Sequence, residues 1–191
     1  MPTANTSDFR NGLCLEYNSD IFQIIEFQHV KPGKGAAFVR TKLKSLTNGR
    51  VLENTFPAGA KVETARIERR KYQYLYPDET GYVFMHTETF DQIPIEGKLI
   101  GDQLDLLKEG DEAEILFHDE TETPIAVEMA PFVELEITYT EPGVKGDTAT
   151  GATKPATVET GAEIQVPLFI DQGEKVRIDT RTKAYVERVK K

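Results

Sequence analysis

The sequence predicts an all-β protein made of three consecutive small β-barrels. Short runs that alternate between apolar and polar residues recur along the 191 residues, and Gly, Pro and Asn turns separate them. Only one segment has the periodicity of a helix. Blocks this short leave exposed sheet edges unless they close, so barrels are favoured over sandwiches. The predicted domains span residues 1–64, 65–128 and 129–191.

The first block predicts a long hairpin followed by a third strand. Residues 21–30 are rich in β-branched and aromatic side chains, and the turn residues at 31–35 lead into a returning strand over 36–46. A second turn at Asn48-Gly49 leads to a strand at 51–56.

The middle block predicts strands at 72–76, 82–86, 113–118 and 125–130. Between them lies the one predicted helix, over residues 99–108, because Ile100, Leu104 and Leu107 recur at i, i+4 and i+7. Gly110 follows as the expected C-terminal glycine.

The third block has the clearest alternation. Val133, Leu135, Ile137 and Tyr139 alternate with polar residues, which predicts a half-exposed antiparallel strand. Further strands are predicted at 164–170, 175–180 and 184–189. A Gly-, Thr- and Lys-rich loop over 141–161 is long for a small β domain, which indicates a functional loop.

The net charge of −9 is unevenly distributed. Residues 1–70 hold 11 Lys and Arg against 7 Asp and Glu, which gives +4. Residues 71–130 hold 3 against 15, which gives −12, and residues 131–191 hold 9 against 10, which gives −1. A basic first third can meet nucleic-acid phosphate, whereas phosphate repels the acidic middle.

The composition also predicts the compartment. Cys14 is the single cysteine, so an internal disulfide framework is ruled out, and we interpret it as a half-buried strand residue. No secretory signal and no apolar run of membrane-spanning length are present, so we expect a cytoplasmic protein with no membrane partner.

The tip of the first hairpin carries a conspicuous lysine. Lys31-Pro32-Gly33-Lys34 has the sequence of a type II turn, with Pro second and a positive φ expected at Gly33. Lys34 lies between two glycines and is therefore unshielded. On the returning strand, Phe38, Arg40, Lys42 and Lys44 share one face. An ordinary solvated surface remains an alternative for these cations.

Enzyme chemistry is weakly supported by the sequence. The carboxylates of residues 102–122 are scattered and lack calcium-loop spacing, and GKG is not a phosphate loop. His29, His86 and His118 stand too far apart for a local metal motif. A Schiff-base nucleophile needs a buried lysine, whereas Lys34 is expected to be exposed to solvent at the tip. A generic RNA-binding barrel protein stays open as an alternative function.

Several motifs together resemble bacterial elongation factor P of the lysine type. KPGKGAAFVRTKL at 31–43 resembles the family's modification loop, DFRNG at 8–12 its N-terminus and YQYLY at 72–76 its second domain. EPGVKGDTATGATKPATVETGAEIQVPLFIDQGE at 141–174 resembles the third-domain signature, and DTRTKAYVERV at 179–189 the C-terminus.

The resemblance implies an SH3-like domain and two OB-fold domains in an L-shaped, tRNA-like arrangement, without enzymatic activity. It implies binding to the 70S ribosome between the peptidyl and exit sites, and relief of stalling at consecutive prolines by positioning peptidyl-tRNA. No metal or cofactor is expected apart from a covalent extension on Lys34, added by a lysine-modifying enzyme, and the protein is expected to be a monomer.

The resemblance also implies site residues. The tRNA-facing loop and hairpin comprise Lys31, Pro32, Gly33, Lys34, Gly35, Arg40 and Lys42. As cations on the returning strand, Arg40 and Lys42 are expected to bind acceptor-stem phosphates independently of base sequence. The surface facing the small subunit and exit site comprises Gly146, Asp147, Thr148, Tyr185 and Arg188.

Overall fold

The computed structural model describes residues 2–143 and 151–190. Strand accounts for 56% and helix for 7%, which confirms the all-β class. The chain forms two compact units. The first unit is Met1–Arg70 with Ile115–Ala126, and the second unit is Lys71–Glu114 with Val127–Lys191. No helix in the described ranges is long and apolar enough to cross a membrane.

Six strands build the N-terminal part of the first unit. They are β1 Thr3–Asn5, β2 Cys14–Tyr17, β3 Asp20–Val30, β4 Phe38–Ser45, β5 Val51–Pro57 and β6 Lys61–Glu63. Strands β2-β3-β4-β5 form an antiparallel meander, and β1 pairs with β6. The three strands predicted from 21 to 56 are confirmed to within two residues at each end.

A single apolar core holds this meander together. Its fully buried members alternate along the strands, as the period of two requires. A bridge between Leu15 and Thr64 and a hydrogen bond from Ala65 N to Cys14 O (3.1 Å) join the segment after β6 to β2. The core comprises Phe9, Leu15, Phe22, Ile24, Val39, Leu43 and Phe56.

Two further sheets share one strand order. The first contains β7 Ile67–Asp78, β8 Gly81–His86, β9 Gln92–Ile95, β10 Glu112–His118 and β11 Thr123–Met129. The second contains β12 Phe132–Thr140, β13 Thr153–Val158, β14 Glu163–Pro167, β15 Lys175–Asp179 and β16 Tyr185–Arg188. In each sheet the first strand lies between the second and the fourth, which is the OB-fold order and confirms that prediction.

The predicted helix at 99–108 is wrong in type and extent. A single α-helical turn, α1 Gly97–Ile100, is followed by a 3-10 helix over Gly101–Leu106. Gly101 has φ +70 and ψ −145, which ends the α-helix after one turn, and Leu107 is already extended. Gly110 lies in the turn before β10 and does not cap the helix: its N–H donates to Tyr74 O at 2.8 Å.

Two predictions in the third block also need correction. The pairing of β12 with β13 shifts register between Ile137 and Tyr139, so Tyr139 is 60% exposed instead of continuing the buried row. The predicted loop at 141–161 contains β13. Pro155 concealed this strand because proline cannot donate to a ladder. Its neighbour Ala156 pairs with Thr140, the last residue of β12.

Candidate functional site

The hairpin arm, formed by β3, the loop 31–37 and β4, displays Lys34 at its tip. The strands pair up to Val30 opposite Phe38, and seven loop residues follow before β4 begins. Residues 31–36, Lys34 among them, are all exposed. Within the described part of the chain, Lys31 and Lys34 make no ion pair.

The predicted type II turn at the tip is wrong. That turn requires a positive φ at Gly33, but the structure places the positive φ, +120°, at Gly35. A Cβ on Gly35 would lie 3.6 Å from Cγ of Pro32, so the two residues face each other across the loop. The chain reverses over seven residues, and no tight four-residue turn is needed.

The strand register arranges the side chains on the outer face of the arm in rows, each crossing β3, β4 and β5. Opposite residues on antiparallel strands share a face, so each row holds three neighbouring side chains. Counted from the tip, the rows are Val30–Phe38–Pro57, then Gln28–Arg40–Thr55, then Glu26–Lys42–Glu53.

Lys42 is paired within its row. Its Nζ donates to Glu26 Oε2 at 2.7 Å, and Glu53 is its partner on the other side. The hydrogen bond from Lys42 to Glu26, together with the charges of both carboxylates, raises the pKa of Lys42. The row therefore carries two negative charges and one positive charge.

Arg40 has a different environment. It is exposed, and its cross-strand neighbours are Gln28 and Thr55, both uncharged and exposed. None of these three side chains forms a hydrogen bond or ion pair with another described residue. The sequence analysis did not single out Gln28 or Thr55. Only the register of three strands identifies them, although the alternation of each strand places them on an exposed face.

The structure places the C-terminal site residues in the second unit, on β16. Arg188 Nη1 lies 2.9 Å from Glu174 Oε1, and its guanidinium lies 6.0 Å from the ring centroid of Phe169. Burial raises the pKa of Tyr185. A backbone hydrogen bond from Asp171, supported by Arg188, lowers the pKa of Glu174. Gly146, Asp147 and Thr148 lie outside the described residues.

Two close contacts involve the described residues between β12 and β13 and at the start of β13. Lys154 is buried, and its Nζ donates to Glu141 O at 2.6 Å. A Cβ on Gly143 would lie 2.6 Å from Leu168 O, so only glycine fits this close approach. The first contact holds Glu141 against β13, and the second holds Gly143 against Leu168.

One group of carboxylates has the close spacing of a cation site. Glu68, Asp119 and Glu122 of the first unit bring ligand atoms within 4.8 Å of one another, the one such group in the described ranges. Arginines already neutralise them: Arg70 lies 2.6 Å from Glu68 and 2.8 Å from Glu122, and Arg66 lies 3.2 Å from Asp119. The arrangement is that of an ion-pair network.

Cys14 is buried in the core, and burial raises the pKa of its thiol.

Three family profiles match successive parts of the chain. Residues 5–62 match the elongation factor P KOW-like domain, residues 67–127 match the elongation factor P OB domain, and residues 133–188 match the elongation factor P C-terminal domain.

Relatives with the same designation match nearly the whole chain. It is 65% identical over 187 residues to elongation factor P of Amoebophilus asiaticus, covering 98% of both chains. It is 59% identical to elongation factor P 1 of Porphyromonas gingivalis, covering 98% of this chain and 99% of that one. A solved structure of a translation initiation factor eIF-5A family protein from Naegleria fowleri aligns with 67% of this chain and with 98% of its own chain. The TM-score is 0.53 and the sequence identity is 13%, so the likeness is one of fold alone.

Proposed function

The chain belongs to the elongation factor P family, a family of ribosome-interacting translation factors, and we propose that it relieves stalling at consecutive prolines by positioning peptidyl-tRNA through Lys34. It would bind between the peptidyl and exit sites of the 70S ribosome. The observation that carries this proposal is the solvent-exposed Lys34 at the tip of a long two-stranded arm.

The proposed mechanism is orientation without covalent catalysis. Proline reacts poorly in peptide transfer because its ring restricts the geometry of approach. Holding a reactant in a productive pose can contribute up to roughly 7–11 kcal/mol in well-oriented systems. Lys34 would contact the tRNA backbone near the CCA end and restrain the peptidyl group. The protein would act as a non-enzymatic monomer in the cytoplasm.

A covalent extension on Lys34 is part of the proposal. Lys34 is exposed, which leaves it accessible to a lysine-modifying enzyme, and an extension would lengthen the arm towards the peptidyl-transferase centre. The intact mass of protein purified from its native host tests this, with the excess mass mapped to a peptide containing Lys34. An unmodified mass in a host that shows full rescue would contradict the need for an extension.

The positioning role is tested with a reporter that contains consecutive prolines. Lys34→Ala is expected to abolish rescue of the reporter while ribosome binding is partly retained, because the rest of the arm is unchanged. Lys61→Ala, at an exposed lysine on β6 outside the arm, is the matched control and should retain the rescue. Full rescue by Lys34→Ala at normal expression would show that the tip is not the working end.

The alternative function, a generic RNA-binding module, predicts that the protein binds free RNA and does not associate with ribosomes. Gradient sedimentation separates the two: co-migration with 70S ribosomes supports the elongation-factor proposal. Absence from the ribosome fractions together with strong binding of free RNA would support the alternative.

A further inference from the structure

On the outer face of the arm, the charge and the hydrogen-bonding groups of the side chains change from one row to the next. We propose that Arg40, Gln28 and Thr55 form a binding site for one RNA backbone phosphate, and that the Glu26–Lys42–Glu53 row excludes phosphate. This inference rests on the proposed function, since the RNA it assigns is the backbone of peptidyl-tRNA. It replaces the sequence-based expectation that Arg40 and Lys42 act alike.

The Arg40 row has the donors that a phosphate requires. A guanidinium presents five N–H donors in a fork that matches two phosphate oxygens. The Gln28 amide and the Thr55 hydroxyl add donors on either side of it. Adjacent strands lie about 4.8 Å apart, so these neighbours can reach the same phosphate or its adjoining ribose.

The side chains of this row are also available. None of the three is bonded to another described residue, so no existing contact must be broken when phosphate binds. All three are exposed, which leaves the approach to them open. Because Arg40 faces no carboxylate across either strand, its charge is not neutralised in its own row.

The Lys42 row has the opposite character. Its ammonium group already binds Glu26 at 2.7 Å, with Glu53 on the other side. A phosphate there would compete with that ion pair and meet two carboxylates, so the row repels a polyanion despite its lysine. This row therefore bounds the site on the barrel side.

The tip side of the site is bounded by apolar side chains. Val30, Phe38 and Pro57 offer no side-chain donor and no charge to a phosphate. The site is thus one row deep, between an apolar row and an acidic row. It should contribute about one phosphate contact, independent of base sequence.

The test measures affinity for ribosomes halted at a run of prolines with peptidyl-tRNA in the peptidyl site, over a range of salt concentrations. Arg40→Gln should weaken binding about tenfold at low salt and reduce the slope of log K against log salt by about one, as expected for one lost phosphate contact. Arg40→Lys should keep the slope and lose part of the affinity, because it retains the charge without the fork.

Two controls match the change in charge. The double variant Glu26→Gln/Lys42→Gln leaves the net charge unchanged and should keep the wild-type slope. Lys61→Gln removes one positive charge on β6, outside the β2–β5 sheet, and should also keep the wild-type slope of log K against log salt. Thermal unfolding curves establish that each variant is folded.

The outcomes separate the two proposals. A wild-type slope for Arg40→Gln overturns the phosphate site while the proposed function stands. A flattened slope for Glu26→Gln/Lys42→Gln would make Lys42 a phosphate ligand and overturn the exclusion. If the wild-type protein does not bind halted ribosomes, the proposed function fails, and this inference fails with it.

Discussion

Most cations of the hairpin arm and most of those in the C-terminal strands have opposite environments, and Lys42, held by Glu26 at 2.7 Å, is the exception on the arm. On the arm, Lys31, Lys34, Arg40 and Lys44 are exposed and make no ion pair within the described chain. In the C-terminal part of the second unit, four cations each meet a carboxylate within 3.1 Å. These pairs are Arg177–Glu187, Arg181–Asp179, Lys183–Asp105 and Arg188–Glu174.

The contrast separates two uses of a positive charge. A cation already held by a carboxylate contributes to local structure, and a partner must compete with that carboxylate to bind it. A cation without an internal partner contributes almost nothing to stability, and its charge is available to a polyanion. We therefore expect substitutions on the arm to change function, and substitutions in the C-terminal strands to change stability.

The largest stability effect is expected at the buried cation of the second unit. Lys154→Ala removes the 2.6 Å hydrogen bond to Glu141 O and the packing of its aliphatic stem, at a cost of about 1.5–3 kcal/mol in unfolding free energy. Lys154→Met keeps most of the packing and should cost less. Denaturant unfolding measures both, with the exposed Lys175→Ala on β15 as the control. A loss below about 0.5 kcal/mol for Lys154→Ala would contradict a structural role.

A smaller effect is expected for Arg188→Ala. Its side chain is 50% exposed and pairs with Glu174 at 2.9 Å, so we expect a loss of about 0.2–1 kcal/mol, the usual range for a surface pair. A double-mutant cycle with Glu174→Ala measures the coupling between the two residues. Lys34→Ala is the matched arm variant and should leave the unfolding free energy unchanged. Equal losses for Arg188→Ala and Lys34→Ala would remove the contrast between the regions.

The smallest expected effect is on the way the melting temperature depends on pH. Hydrogen bonds from the Arg181 side chain and backbone lower the pKa of Asp179 from 3.8 to about 2. Because the folded-state pKa is depressed, the stabilisation is complete above about pH 4 and is lost as the pH falls towards 2. Asp179→Asn should therefore lower the melting temperature at pH 6, and the gap to the wild type should narrow between pH 4 and pH 2. Parallel melting curves across that range would contradict the assignment.

Periodicity predicted most strands because alternation depends only on each strand having one buried face. It failed where a local exception intervened. The spacing of Ile100, Leu104 and Leu107 predicted an α-helix that ends at Gly101 after one turn. Pro155 weakened the strand signal of β13, which was therefore predicted to be part of a loop. The type II turn was wrong because a wide loop gives the Pro-Gly pair alternatives that a tight turn would not.

By itself, the sequence determined the all-β class, the hairpin with Lys34 at its tip, and the motifs through which the chain resembles elongation factor P. It could not distinguish Arg40 from Lys42, because both lie on the same face of one strand, two residues apart. The tertiary structure made that distinction through register. Pairing β4 with β3 and β5 sets Lys42 between two glutamates and Arg40 between a glutamine and a threonine. The charge that a side chain presents to a partner depends on its cross-strand neighbours, and only the paired sheet brings them together.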